Sequence, residues 1–239
     1  MTMEQRVADL ERSYRRVQVV AAVLTFILAI IALRPFIAGS DERVIRAQGI
    51  VLIDDQGRER ILIGAPIPHA ENRIRTDSAR ARQEWASRFP DADKYMGFYA
   101  DYDHSMNGVL VLDEWGFDRL ALGDPTPDPN VGRRLGPASG LQINDAKGFE
   151  RSGYGLLSVD GVDRVVLGLD SNRGTEALTL AVLDGGRVGL SIGGDGETIF
   201  LGRAAGGDFV SGLDSAHTGL VIRRGDTVLY SAGSGARPR

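Results

Sequence analysis

Residues 44–231 alternate short runs of Val, Ile and Leu with turns rich in Asp and Gly, a pattern of strands joined by tight reversals rather than of helices. The clearest unit is GIVLIDDQGRERILIG at 49–64. Shifted by 59 residues, Gly49, Asp54, Gly57, Arg60, Gly64 and Pro66 meet Gly108, Asp113, Gly116, Arg119, Gly123 and Pro125. A third copy keeps Gly140, Asp145, Gly148, Arg151 and Gly155, and a shortened fourth at 156–168 turns on Asp160 and Gly161. Glycine tolerates positive φ and Asp closes a turn through its carboxylate. Asp54, Gly57, Arg60, Asp113, Gly116, Arg119, Asp145, Gly148 and Arg151 therefore read as structural turn residues. Each arginine, with Arg164 of the fourth copy, is placed to pair with the turn aspartate of its own or the next unit. A ligand-binding arginine ladder is the rival reading. The expected fold is mainly β: a repetitive antiparallel meander, barrel or solenoid-like domain in which neighbouring hairpins bury a face that one hairpin alone cannot. The uneven glycine spacing after residue 161 argues against a regular β-helix.

The period changes in two places. Near the amino terminus Met3, Val7, Leu10, Tyr14, Val17, Ala21, Leu24, Leu28 and Ile31 recur in alternating steps of four and three, an a/d seam. Val17 to Leu33 carries no charge, close to the lower limit for a helix that spans a bilayer. Residues 1–16 are thus a cytoplasmic amphipathic helical stub and residues 17–36 a transmembrane signal-anchor. Arg6, Arg12, Arg15 and Arg16 precede the span and Arg34 follows it. That bias predicts a cytoplasmic amino terminus and a periplasmic or extracellular carboxyl domain, ending in a polar tail at 232–239. A signal peptide cleaved near IAGS at 37–40 and a buried helix of a soluble protein compete with this reading. The long basic region favours a retained anchor, and the seam predicts a homo-oligomer.

The second break is a helical insertion at 66–107, between the first two repeats. Thr76 or Asp77 caps a helix expected to run to about Phe89, where Pro90 stops it. DADKYMGFYADYDH then gathers Tyr95, Phe98, Tyr99 and Tyr102 with Asp91, Asp93, Asp101, Asp103 and His104. With Trp85, these rings suit an interaction surface, since aromatic groups give broad contact at low entropic cost while carboxylates fix polar or basic groups. Packing of the insertion onto its own scaffold, or across a subunit boundary, is the competing account.

Composition narrows the chemistry. With no cysteine among 239 residues, disulfides and thiolate metal sites are excluded. From Asp41 onward 23 lysines and arginines face 29 aspartates and glutamates, interspersed, so no nucleic-acid footprint is present. His69, His104 and His217 form no metal motif, and DDQG, GGDG and DADK lack a full calcium loop. GGDGETIFLG has neither the Lys-Ser/Thr ending of a phosphate loop nor its strand-to-helix setting. Adjacent acids such as Asp54 and Asp55, or Asp101 and Asp103, do not establish the opposed pair a glycosidase needs. The RGD at 224–226 is ordinary hairpin chemistry. No catalytic residue, metal ligand or cofactor is assigned.

The sequence therefore points to a non-enzymatic structural or accessory interaction subunit of a membrane or envelope assembly. Its expected partners are copies of itself, another membrane or envelope protein, and the lipid bilayer through residues 17–36. The alternative is a membrane-tethered carbohydrate-active enzyme or glycan-binding protein using the insertion.

Overall fold

The computed structural model describes residues 3–37, 45–172, 175–184, 187–194, 196–206 and 215–234, without the side chains of residues 4, 7–12 and 30–37. The IAGS segment beyond Ile37, Asp195 of GGDG and the tail from residue 235 lie outside the described residues. The chain divides into two compact units, residues 1–46 and 47–239.

The first unit holds one helix, α1 (Met3–Ile37), whose 35 residues reach about 52 Å. Its described side chains are all exposed, Tyr14, Val17, Leu24 and Leu28 among them. Thr25, with Gln18 one of the two polar interruptions of the apolar run, returns its hydroxyl to the carbonyl of Ala21 at 2.9 Å. Among the described residues no helix is long and apolar enough to cross a membrane. The last part of the proposed span, 30–36, has side chains outside that set.

The second unit is a single antiparallel sheet of twelve strands in chain order. They are β1 (Gly49–Ile53), β2 (Glu59–Gly64), β3 (Gly108–Leu112), β4 (Asp118–Gly123), β5 (Ala138–Asn144), β6 (Glu150–Val159), β7 (Val162–Asp170), β8 (Glu176–Leu183), β9 (Val188–Gly194), β10 (Glu197–Ala204), β11 (His217–Arg224) and β12 (Thr227–Ser234). Of the three architectures the sequence allowed, the chain adopts the meander. The sheet does not close, and β1 and β12 are its edges. Asp160 and Gly161 both take positive φ, 53° and 76°, and reverse β6 into β7 in two residues. Gly225, at φ 54°, and Asp226 of the RGD make another two-residue reversal between β11 and β12.

Register explains the recurring glycines. Cross-strand pairing links Gly49, Gly64, Gly108, Gly123, Gly140 and Gly155, passes through Val166 and Ala181, and continues through Gly189, Gly202, Gly219 and Gly233. One row thus crosses every strand. A methyl group built on Gly108 would lie 2.1 Å from the carbonyl oxygen of Leu122, and one on Gly219 would lie 2.0 Å from that of Ala232. Neighbouring backbone fills the volume a side chain would need, so the row is a crease in the sheet.

Alternation assigns the remaining side chains to two unlike faces. On the face that carries the glycines, Leu62, Leu110 and Ala121 align across β2, β3 and β4, and the insertion covers them with Ile67, Ala70 and Met106 to form one buried cluster. The same row then turns polar, through Gln142, Gly153, Gly168, Thr179 and Ser191, before Phe200 and Val221 form a smaller core with Ala204. The opposite face carries two aliphatic rows. One runs from Ile50 through Leu122, Tyr154, Leu180 and Leu201 to Ala232, and the other from Leu52 through Ile143, Leu169, Ile192 and Ile199 to Tyr230. No described element of the unit covers these rows, and Leu122, Leu180 and Leu201 are each about half exposed, at 51%, 50% and 54%.

The insertion differs from its expectation. Asp77 caps α2 (Ser78–Glu84), its carboxylate accepting from the N–H groups of Ala79 and Arg80, but the helix ends at Glu84 rather than near Phe89. Trp85 leaves the helix because its indole is drawn inward, Nε1 donating to the carbonyl of Lys147 at 2.7 Å. A short 3-10 turn at Ala86–Arg88 and a further helix, α3 (Ala92–Tyr99), follow, the latter capped by Asp91.

Candidate functional site

The three repeated turns have one geometry. Oδ1 of Asp54, Asp113 and Asp145 each accepts two backbone N–H groups, from Gln56 and Arg58, Trp115 and Phe117, and Lys147 and Phe149 respectively. Gly57, Gly116 and Gly148 follow at φ of 78°, 87° and 75°. Burial works against the Asp54 carboxylate, but hydrogen bonds from Arg58, Arg60 and Gln56 win and hold its pKa down at about 2.

The arginines reach further than an own-turn pairing. Nε of Arg60 donates to the carbonyl of Leu112 at 3.1 Å, that of Arg119 to Asn144 at 3.3 Å, and that of Arg151 to Asp170 at 3.2 Å. Each acceptor lies at the corresponding end of the next hairpin, so the arginines stitch consecutive hairpins together. Arg60 and Arg119 also approach their own aspartates, at 3.2 and 3.9 Å. Arg164 lies elsewhere, on the wall of a groove described below.

The insertion's rings mostly face inward. Trp85, Tyr95 and Tyr99 are buried at 2%, 5% and 2% exposure with Ile74 and Phe117. Trp85 stands 5.6 Å from Tyr99 and 6.2 Å from Phe117, centroid to centroid. The hydroxyl of Tyr95 donates to the carbonyl of Asn130, and that of Tyr99 to Arg75. Burial pushes both phenol pKa values well above the ordinary range. Tyr102 and His104 are half-buried against Tyr99, whereas Phe98 projects with 55% of its surface exposed.

Beneath the rings lies a charged seam. Arg73 forms a two-pronged pair with Asp118, Nε to Oδ1 at 2.8 Å and Nη2 to Oδ2 at 2.6 Å, with both side chains 4% exposed. Burial alone would raise the Asp118 pKa, but the Arg73 guanidinium outweighs it and the net shift is downward. Arg75 donates to the carbonyl of Asp128. His104 Nε2 lies 3.1 Å from the carbonyl of Tyr99, and burial followed by the nearby Arg75 cation lowers its pKa from 6.5 to about 4. The imidazole is thus held neutral.

Open concavities lie beside these packed groups. A hollow of about 780 Å³ lies where α2 meets the turns, lined by Arg60, Arg80, Arg119, Lys147, Glu84 and the exposed Trp115. Trp115 escaped the sequence reading. It occupies the apex position held by Gln56 and Lys147 in the other copies, and that one departure from a polar residue was its signal. A groove of about 410 Å³ follows the polar stretch of the glycine-bearing face, walled by Arg134, Arg164, Glu150, Asp170 and Glu176. Burial, then the neighbouring carboxylates, raises the Glu150 pKa against Arg134, and Asp170 is raised by burial and by Glu176. Among the described residues no three His, Cys, Asp or Glu side chains are grouped to hold a metal ion.

No family model matches the chain, and comparison with curated proteins and with solved structures returns no match.

Proposed function

We propose that the protein is a non-enzymatic structural or accessory interaction subunit of a membrane or envelope assembly, held by the helix at 17–36 with its β domain on the exported side. The observation that carries this reading is the sheet itself, which bears on all twelve strands an apolar face that no described element of its own unit covers. Soluble monomers seldom leave a contiguous apolar surface of that extent. α1 adds support, since its described apolar side chains are exposed around the helix, as those of a lipid-facing helix are. Phe98 of the insertion and Trp115 of the second turn are exposed rings available to another membrane or envelope protein.

The lack of native cysteine makes the test direct. Thr2→Cys and Trp115→Cys variants are labelled in intact cells with a membrane-impermeant maleimide. The reading expects the chain to stay in the membrane fraction after alkaline carbonate, with label at 115 and none at 2. Recovery in the carbonate supernatant, or equal labelling at both positions, refutes it.

A glycan-binding or carbohydrate-active role is the second reading, and the polar groove favours it. Its carboxylates and arginines suit a polyhydroxylated ligand, and two of those carboxylates have raised pKa values. A glycan-array signal abolished by Glu150→Gln would move the weight to that reading.

A further inference from the structure

We infer that the bare aliphatic face packs against the same face of a second copy of this chain, forming a face-to-face sandwich of two twelve-stranded sheets. The inference rests on the anchored-subunit reading above and deepens it by naming the surface and the partner.

The face is uniform where a like partner needs it to be. Among the twenty-four positions of its two rows, Ser152 is the single polar residue. Eleven of the twenty-four positions are exposed, Leu52 at 47% and Tyr230 at 52% near the two edges among them, and the others are half-buried. The two rows run the full width of the twelve-stranded sheet, and a standard stable interface asks about 800 Å² and 20–30 residues of each partner. The face is also a plain sheet surface, not a groove shaped for a helix or peptide. Two such sheets pack at about 10 Å with strands near −30°, their side chains interdigitating. A two-fold axis asks only that the surface complement itself, which two aliphatic rows do.

Charge argues against a lipid surface as the occupant. Interfacial faces are rimmed with Lys, Arg and Trp. Beyond the glycine crease the next row on this side includes Leu156, Val165, Val182 and Val188, and Arg203 is its one cation. The portion from Asp41 carries more acids than bases, 29 against 23, so its net charge supplies none of the electrostatic attraction that holds basic interfacial faces on anionic lipid. Tethering in one membrane would raise the local concentration of copies and favour their pairing.

The experiment uses the full-length chain in native membranes and in detergent, with Leu180→Cys and Tyr154→Cys on the bare face and Phe98→Cys on the insertion as control. Each variant is treated with a short bis-maleimide and, separately, with a soluble mono-maleimide. The expected result is a cross-linked product of twice the chain mass from the 180 or 154 variant. Mono-maleimide labelling at both positions should be an order of magnitude slower than at 98. A cross-linked product of any other mass, slow labelling without cross-linking, or labelling at 154 and 180 as fast as at 98 overturns the inference. Membrane fractionation of the same variants separates the two readings. Cross-linked pairs from a chain that carbonate releases would keep the interface and refute the anchor, while a retained but unlinked chain would do the reverse.

Discussion

The two faces of this sheet solve the problem of a single layer in opposite ways. On one, the insertion supplies Ile67, Ala70 and Met106 to cover Leu62 and Leu110, then anchors itself through Arg73, Asp118 and the indole of Trp85. On the other, Leu122 on β4 and, farther across the sheet, Tyr154, Leu180 and Leu201 meet nothing in the described part of the unit. The first face is built by directional bonds of long sequence range, such as the 45 residues between Arg73 and Asp118. The second offers only area. A sheet whose stability is secured on one side is free to keep its other side for association.

The largest expected effect breaks the covered face. Arg73→Ala leaves the Asp118 carboxylate charged and buried without its partner, and should cost about 3 to 5 kcal/mol in denaturant unfolding of the detergent-solubilised chain. A loss no greater than that of a surface substitution would mean that the insertion is not fastened there. Gly108→Ala strikes the crease between the faces. Its methyl would collide with the carbonyl of Leu122, so the midpoint should fall by the equivalent of more than about 2 kcal/mol.

Acid should weaken the two faces unequally. His104 has its pKa lowered from 6.5 to about 4, so the folded state favours the neutral imidazole. Its contribution is complete above the unfolded value of 6.5 and is lost as pH falls through that value towards 4, where the folded protein also takes up the proton. Unfolding free energies at about pH 7 and about pH 5 should differ less in His104→Asn than in the parent, and an identical difference would remove His104 from the account. The smallest effect lies on the bare face. Leu180→Ser should change the stability of the isolated monomer by no more than about 0.5 kcal/mol, because half of that side chain already meets solvent.

What could be read in advance follows from how local each feature is. The turns at Asp54, Asp113 and Asp145 were legible because acceptor, donors and the positive-φ glycine lie within five residues of one another. The open meander, as against a barrel or solenoid, depends on which strands meet at the edges, and no local spacing fixes that. Rings at 85, 95 and 99 were legible as a cluster, but not in their direction, because their indole and phenol partners are Lys147, Asn130 and Arg75. α3 was hidden by Pro90 and by the acids before Tyr95, which resemble a loop until Asp91 is seen accepting from the N–H of Lys94. The glycine row left its trace as a recurring interval, yet its purpose emerged only from the register of strands far apart in the chain.

That row also makes the architecture extensible. Every strand reaches the crease at the same height, so a hairpin copied within the gene would enter already aligned, with its aliphatic residues on the bare side. Because strands are added in pairs, the entry and exit of the chain would keep their sense. The twelve strands are thus one length of a fabric that grows by duplication and is cut by the loss of a hairpin, its width set by the number of copies rather than by closure.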